Sequence, residues 1–146
     1  MKPVGRGSEP MTRKFAILLA LSALMISGCA TAYVPEGLNH CTGYGMCRGG
    51  YSESRLAEDT YRVSFQGNAR TSRETTQKYL VYRCAEVTLN SGYEYFVFIN
   101  ENTETEKKKY RANAVIKLYR ADQPTNNGRA YNAKQVLENL GPEIRW

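Results

Sequence analysis

The sequence predicts a small α+β domain, a two-layer sandwich in which two helices pack on one face of a three-stranded sheet. Three segments have the apolar patterns of strands and two have apolar residues at helical spacing, in the order β-α-β-β-α. A right-handed crossover through the first helix would make the first two strands parallel, and a hairpin would join the second to the third. The length of 146 residues suits one domain.

The first predicted strand lies where apolar and polar residues alternate after a Gly- and Tyr-rich stretch. Tyr61, Val63 and Phe65 would face the core, while the polar residues between them would face water. Gly67 and Asn68 are typical of the turn that ends such a strand.

A long helix is predicted next, because a start signal and a stop signal bracket an apolar stripe. Thr71 to Glu74 read TSRE, a capping box in which the threonine hydroxyl accepts a helix amide and the glutamate reaches back. The pattern extends to about Asn90, and Gly92 is the expected left-handed terminator. The face predicted to be buried consists of Gln77, Leu80, Val81, Cys84, Ala85 and Thr88.

Two further strands are predicted after this helix. Residues 93–100 are apolar on both parities, which is typical of a central strand covered on both faces. The polar stretch 101–108 predicts a hairpin turn, and we interpret its lysines as a solvated end rather than a ligand patch. Residues 112–119 alternate between apolar and other side chains and predict the third strand.

A short second helix is predicted after a loop at residues 122–130. Asn132 is the expected N-cap, and Gly141-Pro142 is the expected stop signal. The stripe predicted to face the core consists of Ala133, Val136, Leu137 and Leu140.

Residues 13–29, RKFAILLALSALMISGC, have the three parts of a bacterial export signal. Two basic residues precede an apolar core of 12 residues, and small residues follow it. The core is shorter than the roughly 18–20 residues that span a bilayer as a permanent helix, so we expect a cleaved signal peptide. Met11 begins a well-formed signal by itself and is an alternative start.

The last four residues of this signal indicate a lipid anchor. Ile26-Ser27-Gly28-Cys29 resembles the bacterial lipobox, in which cleavage occurs just before a cysteine that carries diacylglyceryl and N-acyl chains. The resemblance implies cleavage between Gly28 and Cys29 and a lipid-modified Cys29, which two or more acyl chains would hold stably on a membrane. Ala30 rather than Asp follows, and by resemblance to enterobacterial sorting this favours the periplasmic face of the outer membrane over the inner membrane.

Cleavage would divide the chain into three parts and lower its charge. We expect a signal peptide at 1–28, a lipidated N-terminus with a tether and a Gly/Tyr-rich segment at 29–57, and the α+β domain at 58–146. Four of the 20 basic and one of the 14 acidic side chains leave with the signal, so the net charge falls from +6 to +3. A nucleic-acid partner therefore loses its main support. The one histidine of the chain excludes a mechanism that needs two.

Three cysteines remain once Cys29 is lipidated, and an odd number cannot all pair within the chain. Cys41 and Cys47 lie in a Gly-rich stretch, and in an oxidising compartment a disulfide between them is favoured over free thiols. A metal site at His40 with these two cysteines is a weaker alternative, because the spacing does not fit zinc and a fourth ligand is missing. Cys84 is predicted to be a small buried residue rather than a nucleophile paired with His40.

Two surfaces are candidates for ligand binding. The start of the long helix, with Arg70, Thr71, Ser72 and Arg73, could hold an anion on exposed amides, and an ordinary helix cap is the alternative. Tyrosines between residues 33 and 61 could form an exposed surface for a partner or glycan, or could line the edges of a small sheet. Because the sequence shows neither a nucleophile–base set nor a phosphate loop nor an acidic metal cluster, we predict no metal site and no cofactor besides the covalent lipid.

Three stretches resemble a known family. GGYSESRL (49–56), YRVSFQGNARTSRE (61–74) and RCAEVTLNSGYEYF (83–96), together with the lipobox, are similar to small, uncharacterised proteobacterial envelope lipoproteins. The resemblance covers roughly residues 49–100. It implies an envelope location and brings no activity with it.

Together these observations predict a lipid-anchored, non-enzymatic binding or structural module whose partner is an envelope protein or peptidoglycan. The alternative is a sensor of envelope stress or redox state that uses Cys41, Cys47 and Cys84. An enzyme is the third and weakest hypothesis, because a catalytic site needs converging titratable groups.

Overall fold

The computed structural model describes residues 32–36, 49–121 and 129–144. Its elements, in chain order, are β1 (Gly50–Ala57), β2 (Thr60–Gln66), α1 (Arg73–Asn90), β3 (Tyr95–Glu106), β4 (Lys109–Tyr119), β5 (Tyr131–Asn132) and α2 (Ala133–Ile144). Within those three ranges, no helix is long and apolar enough to cross a membrane.

The strands form one five-stranded antiparallel sheet in the order β1-β2-β4-β3-β5. The general α+β class with two helices fits this structure, but the predicted three-stranded sheet is wrong. The predicted parallel pair is wrong as well. β2 and β3 run in the same direction, yet they are not neighbours, because β4 lies between them.

The two strands that the prediction lacked lie at the edges of the sheet. β1 is mostly exposed, so its sequence, GYSESRLA, has little of the apolar alternation that marks a half-buried strand. Pairing with β2 holds it in the sheet. β5 has two residues, which pair with the first two residues of β3, and so short a strand has no readable period.

β3 is also not the strand covered on both faces that the sequence predicted. It continues through the polar stretch to Glu106, and its Ile99 side chain is 59% exposed. The turn that follows is only Lys107 and Lys108, with φ values of 50° and 64°, as the two central residues of a type I′ hairpin turn require. Polar residues indicated a long turn here, but a sheet with one solvated face accepts them within a strand.

The core lies between α1 and the inner face of the sheet. α1 buries a wider arc than its predicted stripe, because α2 and the segment around Tyr33 pack against a second side of it, where Tyr79, Tyr82 and Val87 are buried. Gln77 and Val81 are only half-buried. The buried residues that the sheet contributes are Val63, Phe65, Phe96, Ala112, Ala114, Ile116 and Leu118.

The start of α1 differs by one residue from the predicted capping box, whereas its end is as predicted. Ser72 is the N-cap, and its hydroxyl accepts a hydrogen bond of 3.0 Å from the amide of Thr75. Thr71 is buried, and its hydroxyl donates to the Asn68 side chain at 3.0 Å. At the other end Gly92, with φ of 78°, closes a Schellman motif, which confirms the predicted terminator.

α2 begins where the sequence predicts, but it continues beyond the predicted stop. The Asn132 side chain caps it, accepting a hydrogen bond of 3.0 Å from the amide of Gln135. The helix then passes through Gly141 and Pro142 and ends at Ile144, so the predicted stop is wrong. Ile144 is 3% exposed, and its burial in the core holds the last turn despite the helix-breaking residues.

Candidate functional site

The outer face of the sheet carries an array of polar side chains. Along β2, Val63 and Phe65 face the core, so the residues that alternate with them face outward. The register with β4 and β3 aligns these outward residues in rows. We call these nine outward positions the polar lattice, in three rows of three: Arg62, Val115 and Asn100; Ser64, Asn113 and Asn102; Gln66, Arg111 and Glu104.

A β-bulge at Ile99 aligns β3 with this lattice. Phe98 pairs with the buried Ile116, whereas the next paired residue, Asn100, lies opposite the outward Val115. Because the bulge inserts one unpaired residue, Asn100 and every second residue after it face outward instead of toward α1. This placement is not visible in the sequence, since strict alternation along β3 puts these residues on the inner face.

Most of the lattice residues line a shallow depression of about 360 Å³ on the outer face. Some of its polar groups already have partners. Arg111 donates to the side chains of Gln66 and Glu36, and the Asn102 amide donates to the Glu104 carboxylate at 3.0 Å. One strand further toward the edge of the sheet, Ser52 of β1 shares a hydrogen bond of 2.8 Å with Ser64.

Three lattice side chains have free hydrogen-bonding capacity. Among the described residues, the side chains of Arg62, Asn100 and Asn113 make no hydrogen bond or ion pair. They lie in two adjacent rows on neighbouring strands, so a guanidinium group and two carboxamides are presented side by side. This set can donate and accept hydrogen bonds and carries one uncompensated positive charge.

The N-terminal segment of the described chain docks along β1, at one edge of the sheet. Pro35 forms a parallel bridge with Tyr51 of β1, where the Tyr51 amide donates to the Val34 carbonyl at 2.9 Å and the Glu36 amide donates back at 2.7 Å. Gly50, with φ of 131°, makes this approach possible, because a Cβ atom there would lie 2.5 Å from the Val34 carbonyl oxygen.

Tyr33 fixes this segment to the core. Its ring packs against four others, with centroid distances of 4.9 Å to Tyr51, 5.3 Å to Tyr82, 5.5 Å to Tyr79 and 6.3 Å to Phe65. The contacts with Tyr79 and Tyr82 are edge-to-face, an arrangement that aromatic pairs favour, while the contact with Tyr51 is tilted and that with Phe65 is stacked. Residues 33 and 51, which the sequence suggested for an exposed aromatic surface, are therefore part of the packing of the domain.

The Tyr33 hydroxyl belongs to a polar group that we call the Tyr33 clasp: Tyr33, Glu53, Arg83 and Glu86. Tyr33 donates to the Glu86 carboxylate. Arg83 donates to the Glu86 carboxylate at 2.8 Å and forms a bidentate pair with the Glu53 carboxylate at 2.6 and 3.1 Å. Burial, and then the hydrogen bond to Glu86, raise the pKa of Tyr33 above its ordinary value, so its hydroxyl remains protonated and keeps donating.

The predicted anion site has the geometry of an ordinary helix cap. Arg70, Ser72 and Arg73 are exposed, but Thr71 is buried and its hydroxyl is bonded to Asn68. The Ser72 hydroxyl is used by the Thr75 amide. The residues therefore lie together as predicted, without a free hydroxyl directed at a ligand.

The other predicted sites fall into two groups. Gly28, Cys29, His40, Cys41 and Cys47 lie outside the described residues. Cys84, by contrast, lies in the core as a free, fully buried thiol, which confirms its predicted role as a small apolar residue. Burial raises its pKa, so the thiolate that a nucleophile needs is disfavoured. The described part of the chain contains no group of three or more His, Cys, Asp or Glu that could hold a metal ion.

Comparison with known proteins gives no relative from which a function could be transferred. No protein-family model, curated protein or solved structure matches this chain. The function is therefore inferred from the residues and their geometry.

Proposed function

We propose that this chain is a bacterial envelope lipoprotein and that its domain is a non-enzymatic binding module. Residues 1–28 act as the signal peptide, and lipidated Cys29 anchors the mature chain at the periplasmic face of the outer membrane. The lipobox and the resemblance of residues 49–100 to proteobacterial envelope lipoproteins support this proposal.

The polar lattice is the observation that carries the binding role. Its nine residues lie on a sheet face against which α1 and α2 do not pack, and three of its polar side chains have no partner among the described residues. An open face of this kind suits a large partner, an envelope protein or peptidoglycan, better than a small molecule, which needs an enclosed pocket.

The position of Tyr33 limits how far the domain can move from the anchor. Three residues separate Cys29 from Tyr33, so the chain between them extends at most about 14 Å. With Tyr33 packed in the core, the domain is held close to the membrane rather than at the end of a long tether.

The alternative role as a redox sensor has less support than binding. Cys84 is fully buried and unpaired, which makes it a poor reporter of the redox state of the envelope. That role would depend on Cys41 and Cys47.

The anchor is tested by Cys29→Ser, followed by cell fractionation and labelling with a radioactive fatty acid. We expect the variant to lose the label and to move to the soluble fraction, because the thiol that accepts the lipid is missing. Cys84→Ala is the matched control and should remain labelled in the membrane. A Cys29→Ser protein that stays labelled and membrane-bound would contradict the anchor.

A further inference from the structure

The lattice also indicates the chemistry of the ligand, an inference that rests on the proposed binding function of this face. Its charged groups are not equivalent. Arg111 is engaged by Gln66 and Glu36, and Glu104 accepts from Asn102. Arg62 has no ion pair among the described residues. Glu104, the carboxylate of the lattice, also has no ion pair among the described residues, but it lies two rows away from Arg62. The charge next to Asn100 and Asn113 is therefore the unpaired guanidinium group of Arg62, whose planar fork suits a carboxylate.

The neutral groups beside Arg62 point to amides. Asn100 lies two positions across the sheet from Arg62, with Val115 between them, and Asn113 lies in the next row. Each carboxamide offers both a carbonyl acceptor and an NH₂ donor, which is the complement of a secondary amide. The ligand that satisfies all three side chains therefore combines a carboxylate with amide groups.

The spacing of the lattice suits an extended chain. Its rows lie roughly 6.6–6.8 Å apart along the strands, which is the repeat of two residues in an extended peptide. None of the nine positions carries an aromatic side chain on which a sugar ring could stack. The lattice is thus better suited to a peptide-like chain than to a bare glycan.

We propose that the polar lattice binds the peptide stems of peptidoglycan. The stem carboxylates pair with Arg62, and the stem amides bond to Asn100 and Asn113. An acidic segment of an envelope protein has similar groups, and the experiment below separates it from the cell wall.

The test is co-sedimentation of the detergent-purified full chain with purified cell-wall sacculi. The variants are Arg62→Gln and Asn113→Ala, and Lys134→Gln is the control, because it removes the same charge from the exposed face of α2. We expect Arg62→Gln to weaken binding about tenfold and Asn113→Ala about threefold, while the control binds as the parent does. Equal binding by Arg62→Gln and Lys134→Gln would overturn the proposal.

Competition identifies which part of the wall is recognised. Soluble stem peptides should displace the chain from sacculi, whereas glycan strands freed of their stems should not. Displacement by the bare glycan strands, or a lack of sedimentation with sacculi, would overturn the proposal. Photo-crosslinking from position 113 to an envelope protein, without cell-wall adducts, would also overturn it in favour of an acidic protein. Because fractionation of Cys29→Ser does not depend on the ligand, failure of the stem-peptide proposal is distinguishable from failure of the anchor.

Discussion

Tyr33→Ala tests whether the residues that follow the proposed anchor are an integral part of the domain. The substitution removes a half-buried ring that packs against four aromatic rings and a hydroxyl that donates to Glu86. Truncation of a fully buried aromatic residue costs about 3–5 kcal/mol. Because Tyr33 is only half-buried, we expect the free energy of unfolding to fall by about 2–3 kcal/mol.

Tyr33→Phe separates the ring from the hydroxyl. It keeps the aromatic packing and removes only the hydrogen bond to Glu86, which Arg83 still pairs at 2.8 Å. We therefore expect a loss of about 1 kcal/mol. The comparison of the two variants divides the effect between packing and hydrogen bonding.

The assay is urea unfolding of the mature chain followed by circular dichroism. Tyr119→Ala is the control, because Tyr119 lies on the outward side of β4 and is not among the residues packed against the core. Tyr119→Ala should lower the free energy of unfolding by less than about 1 kcal/mol. If Tyr33→Ala unfolds within about 0.5 kcal/mol of the parent, Tyr33 is not part of the core and the short tether is refuted.

Four further substitutions test the fold. Gly67→Ala should lower the free energy of unfolding in urea by about 1–3 kcal/mol, because the new Cβ would lie 2.8 Å from that of Thr71. Gly141→Ala, with open space around it, should stabilise α2 by up to about 1 kcal/mol. A loss of stability in Gly141→Ala would contradict the helix at that position. Arg83→Ala should cost about 2–3 kcal/mol by the same assay, because Glu53 and Glu86 lose their shared cation, and an unchanged midpoint would contradict the clasp. Burial raises the pKa of Cys84, so the folded state keeps a proton that the unfolded state loses above about pH 9, and stability should fall as pH rises from there. Cys84→Ala should make the free energy of unfolding depend less on pH between about pH 8 and 11. An unchanged slope would contradict this contribution of the buried thiol.

Local signals in the sequence predicted those elements whose stability is local. α1 has a stop at Gly92 that depends on one residue with positive φ, and this was predicted correctly. Its start was one residue off, because Thr71 and Ser72 are both good caps and only the contact of Thr71 with Asn68 decides between them. α2 passes through Pro142 because the burial of Ile144 outweighs the local signal.

Features that depend on distant pairing could not be predicted in this way. β1 is held by β2 and contributes few buried side chains of its own, so its sequence does not have a strand-like period. The Tyr33 clasp joins residues 53 positions apart in the chain. The polar lattice combines three strands and needs the bulge at Ile99. The polar residues that alternate with Val63 and Phe65, and those along 111–117, were a visible hint of an open face.

Photo-crosslinking in intact cells tests the binding role of the outer face most directly. A photoreactive residue placed at position 113, in the middle row of the lattice, would be compared with one at position 134 on the exposed side of α2. The account predicts abundant adducts from position 113 and few from position 134. Equal labelling from the two positions, or an absence of adducts from position 113, would contradict the assignment of the polar lattice as the binding surface.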